Sequence, residues 1–249
     1  MRPVKKNNVG QTINFINSKN EKEEITVKSD YPNYSEAKKP LIGCLGSYCS
    51  YCEAPMAFGN LQVEHLSPKA HGGANKWENF LLSCNVCNSI KAHPGNIELS
   101  DYHWPHVNNT FYDYIYDCGG RILLNPQLKG LSKDRAQKLY NWLKLGRHPK
   151  DSQNIPSSAD FRWRARYETW NKASRSKKKF ESGSDSLSEI IEDAKKYGYW
   201  SIWFTVFKDC PDIRKALIEN FEGTDPTCFD PNNGYAPKVR NPANPKDPV

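Results

Sequence analysis

Two cysteine pairs, Cys49-Ser50-Tyr51-Cys52 and Cys84-Asn85-Val86-Cys87, bracket the stretch of the chain best equipped for chemistry. Each CxxC turn presents two thiolates to one side of an ion, and two such turns supply the four tetrahedral donors of a structural Zn²⁺. Between them lie Glu64, His65 and Asn79; Asn88 follows the second pair directly, and Lys91 closes the segment. Gln62 to His65 reads as a strand end, where neighbouring side chains point to opposite faces, so Glu64 and His65 do not both ligate one ion unaided. Glu64 and the amide oxygen of Asn88 suit a hard cation such as Mg²⁺ or Mn²⁺, which keeps waters and takes phosphate oxygens. His65, neutral near pH 7, is then free to take a proton from an attacking water. One short segment thus offers a soft structural site and a separate hard-metal hydrolytic site.

These groups need elements to carry them. Asn88 falls where a helix is expected to start. Residues 1–40 are polar and lysine-rich, with short apolar clusters at Ile13, Phe15 and Ile16, and read as a peripheral arm. Phe111 to Tyr116 alternates like a strand, and Gly119-Gly120 turns it into Arg121 to Leu124 as a hairpin. From Leu131 the period becomes helical through Ala136, Leu139, Tyr140 and Leu143, with Ser132 as the expected N-cap and Gly146 as the stop. Phe161 to Phe180 interleaves arginines and lysines with Trp163, Tyr167 and Trp170. That pattern fits either an amphipathic helix with its aromatics in the core or a surface that grips a nucleic-acid backbone. Leu187 to Tyr197 forms a second amphipathic segment and Tyr199 to Phe207 a buried helix. Pro211 opens a last helix that Gly223 stops. The Asn- and Pro-rich stretch after Asp230 reads as an extended or disordered tail.

Bulk properties narrow the class. The chain has 249 residues, a formal charge of +7 and 12% aromatic residues, which excludes a disordered composition and permits a nucleic-acid partner. No apolar run approaches the roughly 20 residues of a membrane span. The basic start Met1 to Lys6 has no apolar segment behind it, so a cytoplasmic location is expected, with cysteines that bind metal rather than pair as disulfides. Cys44, Cys118, Cys210 and Cys228 lack paired spacing and are expected to be buried or free thiols.

The order CxxC, acid-His-x-x-Pro, Gly72-Gly73, Asn79-Phe80-Leu81, CxxCN and Lys91 resembles the signature of the HNH endonucleases. The resemblance implies a ββα-metal core with His65 as general base and Asn79 tying down the loop by hydrogen bonds. Asn88 stands where many members carry a metal-ligating His, and Glu64 where Asp is usual; both keep an oxygen donor. Lys91 matches a basic residue that approaches the scissile phosphate. Outside this segment, Trp104-Pro105, Asn109-Thr110 and Phe221 to Phe229 are similar to the HNH component of Septu-type and retron-associated anti-phage systems, the PtuB family, as is the opening Met1-Arg-Pro-Val-Lys. That resemblance implies an effector nuclease acting with a PtuA-type ATPase on phage DNA or host tRNA.

The expected architecture is α+β: an arm over 1–40, an HNH nuclease core with one Cys₄ zinc over 41–110, a mostly helical region over 111–230 and a tail over 231–249. Nucleic-acid contacts are expected from Lys69, Arg162, Arg164 and Arg166. The competing class is a non-catalytic zinc-knuckle subunit that binds nucleic acid or protein. It would need zinc but neither a second metal nor His65.

Overall fold

A computed structural model describes residues 1–69, 73–91 and 97–240. Gly72, one of the two expected loop glycines, and the last nine residues of the expected tail lie outside that set. Strand β1 (Thr12–Ile16) pairs antiparallel with β2 (Lys22–Thr26), because Ile13 and Phe15 alternate inward along it. This hairpin rests on helix α1 (Lys38–Leu45). The approach is so close at Gly43 that a Cβ there would sit 2.4 Å from Ile13 Cδ1. Met1 and Val4 are core residues, and the Arg2 guanidinium donates to the carbonyls of Leu45 and Glu222. The N-terminal segment is therefore built into the core rather than peripheral to it.

The central unit is strand β3 (Leu61–His65), paired antiparallel with β4 (Phe80–Cys84) from Leu61↔Cys84 to His65↔Phe80. Every residue of β4 is buried, and the strand runs directly into helix α2 (Asn85–Lys91). A short helix α3 (Thr110–Asp113) then leads into β5 (Tyr114–Tyr116), which pairs with β6 (Ile122–Leu124). The expected hairpin is present but starts later. Asn109 accepts from the amides of Phe111 and Tyr112, and this cap turns the first residues of the alternating run into a helical turn.

Helices dominate the rest. Helix α4 (Gly130–Trp142) begins before Ser132, with Lys129 at its N-cap, so the expected serine cap is inside the helix. Helix α5 (Arg162–Glu181) is followed by α6 (Leu187–Tyr197), opened by a capping box of Ser186 and Glu189. Helix α7 (Trp200–Val206) is nearly all buried and packs on α5, with Trp200 stacked on Phe204 at 4.4 Å. Helix α8 (Pro211–Asn220) starts on its proline. Two short strands, β7 (Phe229–Asp230) and β8 (Ala236–Pro237), pair antiparallel. Residues 231–240 thus fold back on the protein instead of trailing from it: the Lys238 amide donates to Cys228 O, and Arg240 pairs with Asp225. Among the described residues no helix is long and apolar enough to cross a membrane.

The segment between α2 and α3 carries a pH liability. Burial, reinforced by the charges of Lys6 and Arg240, pushes the imidazole of His106 well below its ordinary 6.5. The unfolded chain therefore takes up a proton below that value that the folded protein refuses, and stability falls as pH drops, at up to about 1.4 kcal/mol per unit. Urea titrations of zinc-loaded protein from pH 7.5 downward should show this slope, reduced in His106→Gln. An unchanged slope would remove His106 as its source.

Candidate active site and metal centre

The four cysteine sulfurs expected to share an ion do come together. The Sγ atoms of Cys49, Cys52, Cys84 and Cys87 lie within 4.8 Å of one another, and all four residues are buried. Cys52 Sγ is 3.7 Å from Cys84 Sγ. A Zn–S bond near 2.3 Å gives a tetrahedral edge of about 3.8 Å, so the cluster is compatible with Zn²⁺. The register explains the convergence: Cys84 ends β4, the turn into α2 brings Cys87 beside it, and the Cys87 amide points at Cys84 Sγ at 3.4 Å. Crowding of the four sulfurs drives the thiols apart, Cys84 and Cys49 below their ordinary value and Cys52 and Cys87 above it, and a bound cation would favour the thiolate form of all four.

Arg162 completes this centre. Its Nη1 donates to Cys87 Sγ at 3.6 Å, while Nε and Nη2 each reach Asp160 at 2.8 Å. Nη1 and Nη2 also donate to the carbonyls of Leu143 and Lys144 beyond α4. A cation beside four thiolates offsets their excess charge and ties the cluster to the helical region. Arg162 is only 6% exposed and Arg166 only 2%, with Arg166 Nε donating to Gly120 O. The expectation that these two arginines contact nucleic acid is corrected: on α5 they face inward, because the helix turns its Arg162–Arg166–Thr169 row toward the core. Arg164 and Lys69 remain exposed, Arg164 paired with Glu168.

His65 sits at the end of β3, half-buried. Its ring meets Phe80 edge-on at 4.9 Å and Tyr34 at 5.1 Å, and its Nε2 lies 2.9 Å from Asn75 Oδ1. Burial and the charges of Lys69 and Lys91 lower its proton affinity, against the pull of Asn75, which favours the neutral imidazole a general base needs. The loop behind it is tied by Asn79. Asn79 Oδ1 accepts from the Ser67 amide at 2.8 Å, and Nδ2 donates to Ser67 O at 3.1 Å and Ala74 O at 3.0 Å. Asn79→Ala removes all three and leaves the Ser67 amide and the Ser67 and Ala74 carbonyls without this partner. It should lower unfolding stability by about 2–4 kcal/mol in urea denaturation; a loss below about 0.5 kcal/mol would show that the loop does not depend on it.

The opposite face of β3 carries Gln62 and Glu64, which meet α2. Asn88 Nδ2 donates to Gln62 Oε1 at 2.5 Å, and Lys91 Nζ lies 2.5 Å from Glu64 Oε1. The strand therefore does separate Glu64 from His65. Glu64 and Asn88 fall on adjacent rows of one interface, a carboxylate and an amide oxygen of the type a hard cation takes. Glu64 is 4% exposed and Lys91 3%. Burial raises the Glu64 carboxyl, opposed by Lys91, and lowers the Lys91 ammonium, opposed by Glu64. Lys91 also donates to His65 O at 2.6 Å and Leu66 O at 3.0 Å, and its ammonium lies 4.7 Å from the Trp142 ring. All these partners are internal, so Lys91 holds the end of β3 rather than reaching outward to a phosphate, as the resemblance implied. Sequence reasoning missed Asn75 and Tyr34, which no motif spacing marks.

Residues 49–93 match the family model described as HNH endonuclease. The CRISPR-associated endonuclease Cas9 of Corynebacterium diphtheriae is 39% identical over 44 residues, 17% of this chain and 4% of that protein. The chain thus spans a small fraction of that relative's length. Residues 49–93 are similar to an HNH endonuclease domain, and the match leaves most of the chain uncovered.

Proposed function

We propose that this protein is a metal-dependent endonuclease that hydrolyses phosphodiester bonds from a ββα-metal core formed by β3, β4 and α2. The observation that carries the reading is His65. It is a half-buried, neutral-leaning imidazole at the end of β3, within the HNH-matching residues and with Glu64 and Asn88 on the opposite face. His65 accepts a proton from water as the water oxygen bonds to phosphorus and the P–O bond to the leaving oxygen breaks. Asn79 keeps the loop behind His65 in place. Mg²⁺ or Mn²⁺ held by Glu64 and Asn88 would supply Lewis-acid stabilisation of the leaving oxygen. Zn²⁺ on the four cysteines is structural.

The biological setting belongs to the same proposal: a PtuB-type nuclease effector of anti-phage defence, acting in the cytoplasm with a PtuA-type ATPase on DNA, with tRNA as the alternative substrate. Its support is the similarity at Trp104-Pro105, Asn109-Thr110 and Phe221 to Phe229. These residues hold the fold: Trp104 is fully buried, and Asn109 Nδ2 donates to Cys228 O at 2.8 Å.

One observation favours the competing reading, a zinc-knuckle subunit without catalysis: Glu64 is already paired with a buried lysine. The deciding experiment incubates zinc-loaded protein with plasmid DNA and with total tRNA, with Mg²⁺ or Mn²⁺, in the presence and absence of the ATPase. Metal-dependent cutting of either substrate supports the nuclease and identifies its target. No cutting under any condition, with zinc bound and the fold intact, favours the binding subunit.

A further inference from the structure

Among the described residues, one ring nitrogen of His65 is held and the other has no hydrogen-bond partner. Its Nε2 lies 2.9 Å from Oδ1 of Asn75. The orientation of that amide follows from its other partner. Asn75 Nδ2 lies 3.1 Å from the carbonyl oxygen of Pro32, and a carbonyl only accepts, so the amide nitrogen faces Pro32 and the amide oxygen faces His65. The backbone of Asn75 is anchored as well: its carbonyl accepts from the Tyr31 amide at 2.9 Å, and the adjacent Lys76 bridges to Asp30. An amide oxygen has no proton to give, so the contact is a hydrogen bond only when Nε2 carries the proton. In a neutral imidazole that leaves Nδ1 bare. Phe80 and Tyr34, both edge-on to the imidazole, limit its rotation.

We propose that Asn75 is a positioning residue that selects the Nε2–H tautomer of His65 and makes Nδ1 the atom that accepts the proton of the attacking water. The inference rests on His65 being the general base. In the step itself, the water proton moves to Nδ1 as the water oxygen bonds to phosphorus, and the leaving oxygen departs with the electrons of the broken P–O bond and takes a proton from solvent. The imidazolium keeps its Nε2–H bond to Asn75 throughout, so the base needs no reorientation, and Nδ1 returns its proton to solvent afterwards. Asn75 touches neither water nor phosphate in this scheme; it acts through His65. Its anchor comes from the segment just before α1, so the residues ahead of the HNH match take part in setting the base.

The test is a long-range proton–nitrogen correlation on histidine-¹⁵N, zinc-loaded protein at a pH above the imidazole range, with the His65 signals assigned by their loss in His65→Ala. The expected pattern is a protonated Nε2 and a bare Nδ1. Asn75→Leu, which keeps volume but removes the acceptor, should mix the two tautomers. It should also lower kcat by at least about tenfold, a part of the roughly 10²–10⁴-fold that general-base catalysis is worth in full, at nearly constant KM. Asn75→Asp, which still accepts, should keep the Nε2–H pattern and most of the rate. A wild-type pattern with Nδ1 protonated overturns the proposal, as does an Asn75→Leu protein with unchanged tautomer and kcat. The tautomer is read on resting protein. A chain that cuts nothing would therefore count against the nuclease reading, and a wrong tautomer against Asn75 alone.

Discussion

His65→Ala is expected to lower cleavage by about 10²–10⁴-fold, the usual contribution of a positioned general base, while zinc content and melting temperature stay near wild type. The separation of effects follows from where His65 sits. It ends β3 and is half-buried, and it is no part of the four-sulfur cluster. Among the described residues its ring meets the edge-on rings of Phe80 and Tyr34 and makes one hydrogen bond, to Asn75. Losing them costs on the order of 1 kcal/mol, small against a typical domain stability of roughly 5–15 kcal/mol. Single-turnover cleavage and thermal melting on the same preparations separate the two effects. A variant that fails to fold would make His65 a structural residue and withdraw its catalytic role. A folded variant with undiminished cleavage would do the same from the other side.

The second large effect concerns the cysteines. Cys52→Ser, or stripping of zinc from wild type, is expected to unfold the core. Structural zinc sites carry roughly 10–16 kcal/mol of apparent binding free energy, comparable to the whole stability of a domain. The geometry says what would be lost. Four buried thiolates without an ion repel one another. Cys84 fixes the end of the β3–β4 pairing opposite Leu61, and Arg162 ties Cys87 to Asp160 and to the carbonyls after α4. Cys118→Ser is the control, since Cys118 is exposed and outside the cluster. Zinc content and far-ultraviolet circular dichroism should fall together in Cys52→Ser and be unchanged in Cys118→Ser. A zinc-free Cys52→Ser protein that melts like wild type would show that the cluster does not couple metal to folding.

Much of this site was legible because its chemistry is local in sequence. CxxC spacing forces two sulfurs together, and the alternation of a strand puts Glu64 and His65 on opposite faces before any tertiary contact is known. The helices were legible through apolar period and, for α8, through Pro211 in its first turn, whereas the one serine cap expected, Ser132, lies inside α4. What was not legible depends on contacts between distant segments. Asn75 meets His65 only because its loop is anchored on Pro32 and Tyr31, residues that carry no motif. The inward turn of Arg162 and Arg166 depends on Asp160, Gly120 and the cluster itself, whereas composition alone presents them as surface cations. Lys91 was expected at the phosphate because the HNH resemblance places a basic residue there. Here Glu64, two carbonyls and the tryptophan rings of Trp104 and Trp142 enclose it. The N-terminal residues read as an arm because their apolar positions are few, yet Met1 and Val4 fall into the core.

The most direct test of the central claim is cleavage of supercoiled plasmid and of total tRNA by zinc-loaded protein at fixed zinc, with Mg²⁺ added or withheld, with and without the proposed PtuA-type ATPase. The account predicts strand breaks in at least one substrate that need Mg²⁺ and disappear in His65→Ala. Strand breaks that persist without Mg²⁺, or that are equal in His65→Ala, would contradict it.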